Sequence, residues 1–190
     1  MPVLGIFASQ ITGKLYAPTG SMFHIASTTL STDTNTITFS SIPADYTHLQ
    51  LRVFARATDS DTNQFVYMTF NSDTATNYST HRFAGDGSSA TVGANTTDGK
   101  FYFVGQIPAA SATSGIFGAI TMDILDYANT NKYKTTRQLF GYDANGSGNM
   151  YFGSGNWRSS TAITSLTLTH QATTSGGFAT YSSFALYGVK

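Results

Sequence analysis

Oxygen-bearing side chains at alternate positions make the segment 59–63 (Asp-Ser-Asp-Thr-Asn) the first candidate for chemistry in this sequence. The spacing matches the first half of a calcium-binding loop, in which carboxylate and amide oxygens alternate along the chain. The match then stops, because Gln64 stands where such a loop needs its turn glycine and Phe70 where it needs a bidentate glutamate. We therefore predict a polar hairpin loop at this position and no metal site.

Two carboxylates three positions apart, Asp123 and Asp126, are the second candidate, since paired carboxylates carry out general acid–base work in glycoside hydrolysis. In a strand, residues three apart point to opposite faces, so these two carboxylates would diverge. The segment 126–129 is more typical of a strand end, with Asp126 and Asn129 forming side-chain turns. All ten acidic residues are aspartates, which leaves little material for a glycan hydrolase. We predict no enzyme and no catalytic residue.

The four histidines, His24, His48, His81 and His170, stand far apart, and no two have the short spacing of metal ligands. The chain has no cysteine, which excludes disulfides, iron–sulfur clusters and thiolate zinc sites. We expect the histidines to be structural and predict neither a metal nor a cofactor.

Composition favours an all-β protein. The chain of 190 residues contains 21 serines, 30 threonines and no glutamate, and only 11% of it is charged, whereas helical surfaces need Glu, Lys and Ala in quantity. The net charge is zero, which excludes a general nucleic-acid binder that acts by counterion release. No apolar run approaches the ~20 residues that cross a bilayer, so no membrane partner is expected.

Alternation of apolar and polar residues predicts the elements. The clearest strand is 47–56, in which Leu49, Leu51 and Val53 face one way while Gln50 and Arg52 face the other. Other candidate strands are 22–30, 36–42, 65–70, 78–83, 100–107, 115–125, 132–142, 150–157, 162–169 and 178–189. About ten strands with polar turns and no helix predict a two-sheet antiparallel β-sandwich, jelly-roll-like. The segment 85–99 is predicted to be its longest loop.

Residues 1–21 differ from the rest, with two of the four prolines and no sustained period. We predict an extended N-terminal arm over residues 1–21 and the β-sandwich domain over residues 22–190.

Aromatic and basic residues leave two questions open. The aromatic content is 14%, and we expect most rings to fill the core, the alternative being that some Tyr and Phe lie on an outer face as contact anchors. The basic residues cluster only at Lys132, Lys134 and Arg137. We expect Lys132 and Lys134 to share a solvated strand face with Thr136, although a contact with an acidic partner is the alternative.

Several stretches together resemble a family of small bacteriophage virion structural proteins found in phages of aquatic bacteria and cyanobacteria. No single stretch carries a mechanism, and the order of the stretches along the chain makes the resemblance specific. They are residues 1–6 (MPVLGI), 9–11 (SQI), 39–43 (FSSIP), 46–52 (YTHLQLR), 70–73 (FNSD), 77–79 (NYS), His81, 123–127 (DILDY), 132–135 (KYKT) and 182–188 (SSFALYG).

The resemblance implies a virion protein with a jelly-roll-like sandwich and no catalytic residue. The first hypothesis is a capsid cement or decoration protein on the capsid surface, a homotrimer that bridges capsomers by contacting the major capsid protein. Partner-binding anchors are then expected in the arm. They are Leu4, Ile6, Phe7, Ile11, Leu15 and Tyr16.

The alternative hypothesis is a tail-fibre or receptor-binding module on the tail that recognises a host surface glycan. Aromatic rings would stack on sugar rings, and amides and carboxylates would accept hydrogen bonds. Its candidate residues are Tyr142, Asn145, Tyr151 and Trp157, for each of which core packing is the competing assignment.

Overall fold

The computed structural model describes residues 21–171 and 176–190, and these residues form twelve β-strands. No helix in this part of the chain is long and apolar enough to cross a membrane. The strands are β1 Met22–Thr29, β2 Thr36–Phe39, β3 His48–Ala55, β4 Asn63–Phe70, β5 Tyr78–Gly85, β6 Ala90–Asp98, β7 Phe101–Pro108, β8 Gly118–Leu125, β9 Lys134–Asp143, β10 Gly148–Trp157, β11 Leu166–His170 and β12 Ser183–Val189.

The strands form two antiparallel sheets. One has eight strands in the order β1-β12-β3-β8-β9-β10-β5-β6, and the other has four in the order β2-β11-β4-β7. The all-β, two-sheet architecture predicted from the sequence is confirmed. The jelly-roll description itself stays a prediction.

The core lies between the sheets and follows from alternation along each strand. In β3, Leu49, Leu51, Val53 and Ala55 are all buried while Arg52 and Phe54 are exposed, as the sequence predicts. Aromatic rings fill one end of the core, where Tyr78, Trp157 and Phe101 surround Phe70 at centroid distances of 5.4–6.5 Å. More of the described aromatic residues are buried or packed against the core than are exposed, as expected.

The predicted loop 85–99 is wrong. Residues Ala90–Asp98 form β6, which pairs antiparallel with β5 from Gly85↔Ala90 onward. The strand lies at the edge of the larger sheet, and much of it is exposed on both faces, so its sequence shows no apolar–polar alternation. Thr91, Val92 and Thr96 nevertheless have the β-branched side chains typical of strands.

The polar segment 59–63 is also not a hairpin loop, because it links β3 in the larger sheet to β4 in the smaller one. Its side chains bind separate partners. Asp61 Oδ2 accepts a hydrogen bond of 2.5 Å from Gln64, and Asn63 Oδ1 accepts one of 2.9 Å from Gln106. Asp59 is buried beside His170. The described residues contain no cluster of three or more His, Cys, Asp or Glu side chains that could hold a metal ion.

Candidate functional site

Four large apolar side chains lie in line on the outer face of the eight-stranded sheet. Strand register places Val92 of β6 opposite Phe83 of β5, Phe83 opposite Phe152 of β10, and Phe152 opposite Leu139 of β9. Their exposed fractions are 81%, 52%, 58% and 51%, respectively. We call these four residues the apolar row. A continuous row of this kind is unusual on a solvated sheet face, where polar residues normally alternate with buried apolar ones.

A groove runs along one side of the apolar row. It has a volume of about 790 Å³ and lies between the β5–β6 turn (86–89) and the β9–β10 turn (144–147). Leu139 and Met150 contribute apolar lining, and Met150 is 64% exposed. Tyr142 lines the same groove, and its hydroxyl accepts a hydrogen bond of 3.3 Å from Asn63. We call this feature the turn groove.

Two carboxylates border the turn groove, but both are already used by the turns. Asp86 accepts hydrogen bonds from the backbone N–H and the hydroxyl groups of Ser88 and Ser89, and these bonds hold the pKa of its carboxyl well below the usual range. Asp143 Oδ1 accepts a 2.7 Å bond from the backbone N–H of Asn145. The described residues that line the groove include no Lys or Arg. The groove therefore offers apolar surface and backbone groups, with negative charge at its rim.

A polar row borders the apolar row on its other side. Gln50 Nε2 donates a 2.9 Å hydrogen bond to Asp123 Oδ1, and Arg52 Nε donates one of 2.8 Å to Gln50 Oε1. Arg137 Nη2 lies 3.9 Å from Asp123 Oδ2, and both residues share a hollow of about 260 Å³ with Phe152. The apolar row thus has a polar rim, which is the usual anatomy of a protein contact surface.

Asp123 and Asp126, the two carboxylates considered for catalysis, contact different groups. Asp123 belongs to the polar row, whereas Asp126 follows β8 and forms an ion pair of 2.5 Å with Lys132. The hydrogen bond from Lys132 is the main reason why the pKa of Asp126 is lowered. Asn129 Oδ1 accepts a bond from the Asn131 N–H, so Asn129 forms the predicted side-chain turn, whereas the Asp126 carboxylate pairs with Lys132 instead.

The prediction of a solvated face for Lys132, Lys134 and Thr136 is wrong for two of the three. Lys134 and Thr136 are fully buried, and only Lys132 is exposed. The loops that follow β8 and β10 cover the end of β9 and supply three carbonyl oxygens to the Lys134 ammonium. Its Nζ donates to Asn129, Ser160 and the Lys132 carbonyl at 2.6–3.1 Å. Burial lowers the pKa of Lys134.

The histidines fill structural and surface positions. His170 is buried, with Nδ1 3.3 Å from Asp59 Oδ2 and Nε2 2.8 Å from the carbonyl oxygen of Gly176. Since that carbonyl can only accept, Nε2 carries a proton. Nδ1 of His48 accepts a 3.0 Å bond from the Asp126 N–H. His24 bonds to Ser27, and His81 is exposed beside the apolar row.

The structure divides the residues proposed for glycan contact. Tyr151 and Trp157 are buried in the core, as their competing assignment predicts. Tyr142 and Asn145 lie at the turn groove and its turn, and Asn145 takes a left-handed backbone conformation with φ 59°. The six arm anchors lie outside the described residues. They are Leu4, Ile6, Phe7, Ile11, Leu15 and Tyr16.

Sequence reasoning did not single out the apolar row, although it left open that some aromatic residues lie outside. The signal was present as adjacent apolar residues, because Leu139 precedes Phe140 and Phe152 follows Tyr151. Neighbours in a strand face opposite ways, so such a pair places one apolar side chain on each face.

No model of a known protein family matches the chain, and no curated protein matches its sequence. A solved structure that aligns with it is the crystal structure of the marine PL-14 alginate lyase from Aplysia kurodai. The alignment covers 96% of this chain and 92% of the lyase, with a TM-score of 0.34 and 9% sequence identity. A similarity of this degree assigns neither a family nor an activity to the chain.

Proposed function

We propose that this chain is a structural protein of a bacteriophage virion, a capsid decoration protein that binds the major capsid protein and performs no chemistry. The resemblance of its sequence to small virion proteins supports the virion part of this proposal. The apolar row is the observation that supports a contact function. It provides an exposed apolar surface that no described element of the chain covers.

The size of the expected effect follows from burial. Full burial of an exposed large apolar side chain is favourable by about 1.5–3 kcal/mol, and because Phe83, Phe152 and Leu139 are already about half buried, each can contribute roughly half of that. Phe83 and Phe152 lie at the middle of the row, where contact anchors contribute most, and the Gln50–Asp123–Arg137 side forms a polar rim. Repetition of one modest contact around a shell would further strengthen attachment.

The same resemblance implies a homotrimer and a location on the capsid surface. Arm residues 1–21 would contribute additional contacts through the six anchors named above. These points rest on the sequence alone.

A second candidate function is a tail-fibre or receptor-binding module that recognises a host surface glycan. The turn groove supports it, since the groove combines Tyr142 with the backbone of two polar turns. The absence of Lys and Arg among the described lining residues favours a neutral sugar over an acidic one. Of the four residues first considered, Tyr142 and Asn145 lie at the groove and its turn, whereas Tyr151 and Trp157 are buried.

The test of the proposed function combines localisation with a matched pair of variants. Cryo-electron microscopy of intact virions should show the domain on the capsid surface, whereas density only at the tail would favour the second candidate. The double variant Phe83→Ser/Phe152→Ser should then bind capsids stripped of the protein at least tenfold more weakly than the natural chain.

The matched control is Phe54→Ser. Phe54 is also half exposed on the same face, but it stacks on Phe117 at 5.1 Å and lies outside the apolar row. Circular dichroism checks that all variants are folded. Absence of the protein from virions, or equal capsid binding by the double variant and the control, would overturn the proposal.

A further inference from the structure

Among residues 21–171 and 176–190, no strand pairs with the outer edge of β6, which leaves that edge of the larger sheet open. Strand β6 pairs with β5 on one side, and the strand order ends there. The pairing is regular from Ala90 to Asn95 and then shifts by a bulge, where Thr97 has a left-handed φ of 58°. On the outer side of a paired antiparallel strand, every second residue directs its N–H and C=O groups away from its neighbour. Six residues of regular edge are therefore available for a further strand.

This segment lacks the features that normally prevent an edge from pairing. Residues 90–95 read Ala-Thr-Val-Gly-Ala-Asn, with no charged residue and no proline. Natural edges are usually protected by lysine, proline, inward charges or a covering element. Here the bulge protects only the end beyond Asn95, and the charges of Asp86 and Asp98 flank the segment.

The apolar row reaches this edge and stops there. Val92 is its last member and the most exposed of the four, at 81%. A further strand that presents an apolar side chain opposite Val92 would continue the row. The β6 strand of a second copy provides such a residue and an edge segment of equal length.

We propose that two copies of this chain pair antiparallel through β6 about a two-fold axis at Val92. In this register Val92 faces Val92, Ala90 faces Ala94, and Thr91 faces Gly93 of the second copy. The paired stretch then fits between the β5–β6 turn and the bulge. The two apolar rows join into one row of eight residues across the two copies.

The pairing between two β6 strands is expected to be weak and to become stronger when salt is added. Five paired residues from each copy bury less area than the ~1,200 Å² at the lower end of stable interfaces, so the pairing is transient in dilute solution. It strengthens where copies are held close together on a surface. Asp98 of one copy approaches the turn that contains Asp86 of the other, so added salt should strengthen the association. A two-fold contact can join single chains or members of a trimer, and it does not depend on a virion function.

Cysteine cross-linking of the full chain tests the register directly, because the natural sequence has no cysteine. Residues directly opposite in an antiparallel pair have Cα atoms about 4.5–5.5 Å apart, within the range that a disulfide spans. We expect Val92→Cys to form covalent dimers at least tenfold faster than Ala90→Cys or Ala94→Cys. In those two variants the equivalent residues are displaced by four positions along the strand, about 14 Å. A mixture of Ala90→Cys and Ala94→Cys chains should form the disulfide-linked heterodimer, because Ala90 of one copy faces Ala94 of the other.

Two results would overturn the pairing. The first is a Val92→Cys rate no greater than that of the two single controls. The second is efficient cross-linking of Val92→Cys to Ile6→Cys in place of the Val92 homodimer, which would make the N-terminal arm the occupant of the edge. Sedimentation provides an independent measurement: Val92→Lys should remove the two-fold association step and leave any oligomer formed through other surfaces unchanged, and a two-fold step of equal strength in this variant would contradict the proposal.

Discussion

The indole Nε1 of Trp157 donates a 2.7 Å hydrogen bond to Asp73 Oδ2 and so joins the end of β10 to the turn that follows β4. Asp73 also accepts bonds of 3.0 Å from Asn77 Nδ2 and 2.9 Å from the Ala75 N–H. One carboxylate therefore links the two sheets at the aromatic end of the core.

Loss of this carboxylate should destabilise the fold. In Asp73→Ala, the buried indole N–H loses its partner, and we expect a loss of about 1–3 kcal/mol in the free energy of unfolding. Each kcal/mol lowers Tm by about 2–4 °C in a chain of this size. Trp157 is the only tryptophan, so its fluorescence reports the transition directly. The control is Asp45→Ala at an exposed position, and an equal Tm for both variants would contradict this role of Asp73.

The same group predicts a loss of stability in acid. Burial alone would raise the pKa of Asp73, but the bonds from Asn77, Trp157 and Ala75 outweigh it and lower the pKa. The folded state thus binds this proton less tightly than the unfolded state. The stabilisation is complete above the unfolded pKa of about 4 and is lost as the pH falls through the lower folded value.

Urea unfolding between pH 6 and pH 2 measures this dependence. Asp73→Asn cannot titrate, so its stability should fall less steeply over that range than the stability of the natural chain. Identical slopes would show that the acid sensitivity arises elsewhere, for example at Asp126, whose pKa is also lowered.

Lys134 and Lys132 form a matched pair for a test of buried charge. Lys134→Met leaves three carbonyl oxygens without their donor, and we expect a loss of about 2–4 kcal/mol. Lys132→Met removes only the exposed pair with Asp126, which contributes about 0–1 kcal/mol. Chemical denaturation of both variants measures the difference. A Lys132→Met variant as unstable as Lys134→Met would contradict the assignment.

Arg56 holds the β7–β8 loop in place. Its guanidinium donates at 2.8–3.3 Å to four carbonyl oxygens, those of Ala110, Ala112, Thr113 and Ile116. Arg56→Lys retains the charge, but an ammonium cannot reach all four. We expect hydrogen exchange of residues 109–117 to accelerate at least tenfold while the sheets stay protected. Arg52→Ala is the control, because Arg52 bonds to Gln50 far from this loop. Unchanged exchange in Arg56→Lys would show that the loop is held by other contacts.

Alternation was sufficient to predict the architecture wherever one face of a strand is buried. The buried positions of β3 follow from its sequence, as do those of β12, because each apolar residue there has a polar or small neighbour. Each of the eleven candidate strands overlaps an observed strand, although several observed strands extend one or two residues beyond the predicted ends. β6 was missed because an edge strand in solvent has no buried side to produce the pattern.

The candidate site was harder to predict for a different reason. On β10, Tyr151 and Phe152 are both large aromatic residues, and only pairing with β9 and β5 decides which ring enters the core. Lys134 is a similar case, since its burial depends on two loops, one before β9 that contains Asn129 and one after β10 that contains Ser160. The residues next to Lys134 in the sequence carry no information about burial by these two loops.

Inward and outward residues of β10 interleave along one strand, with Tyr151 and Trp157 inside and Met150 and Phe152 outside. Selection can therefore act on the two sets separately. A change at an outward position alters the chemistry of the surface while leaving the packed interior intact. One scaffold can in this way acquire a different outer face through successive single substitutions, each of which keeps the fold.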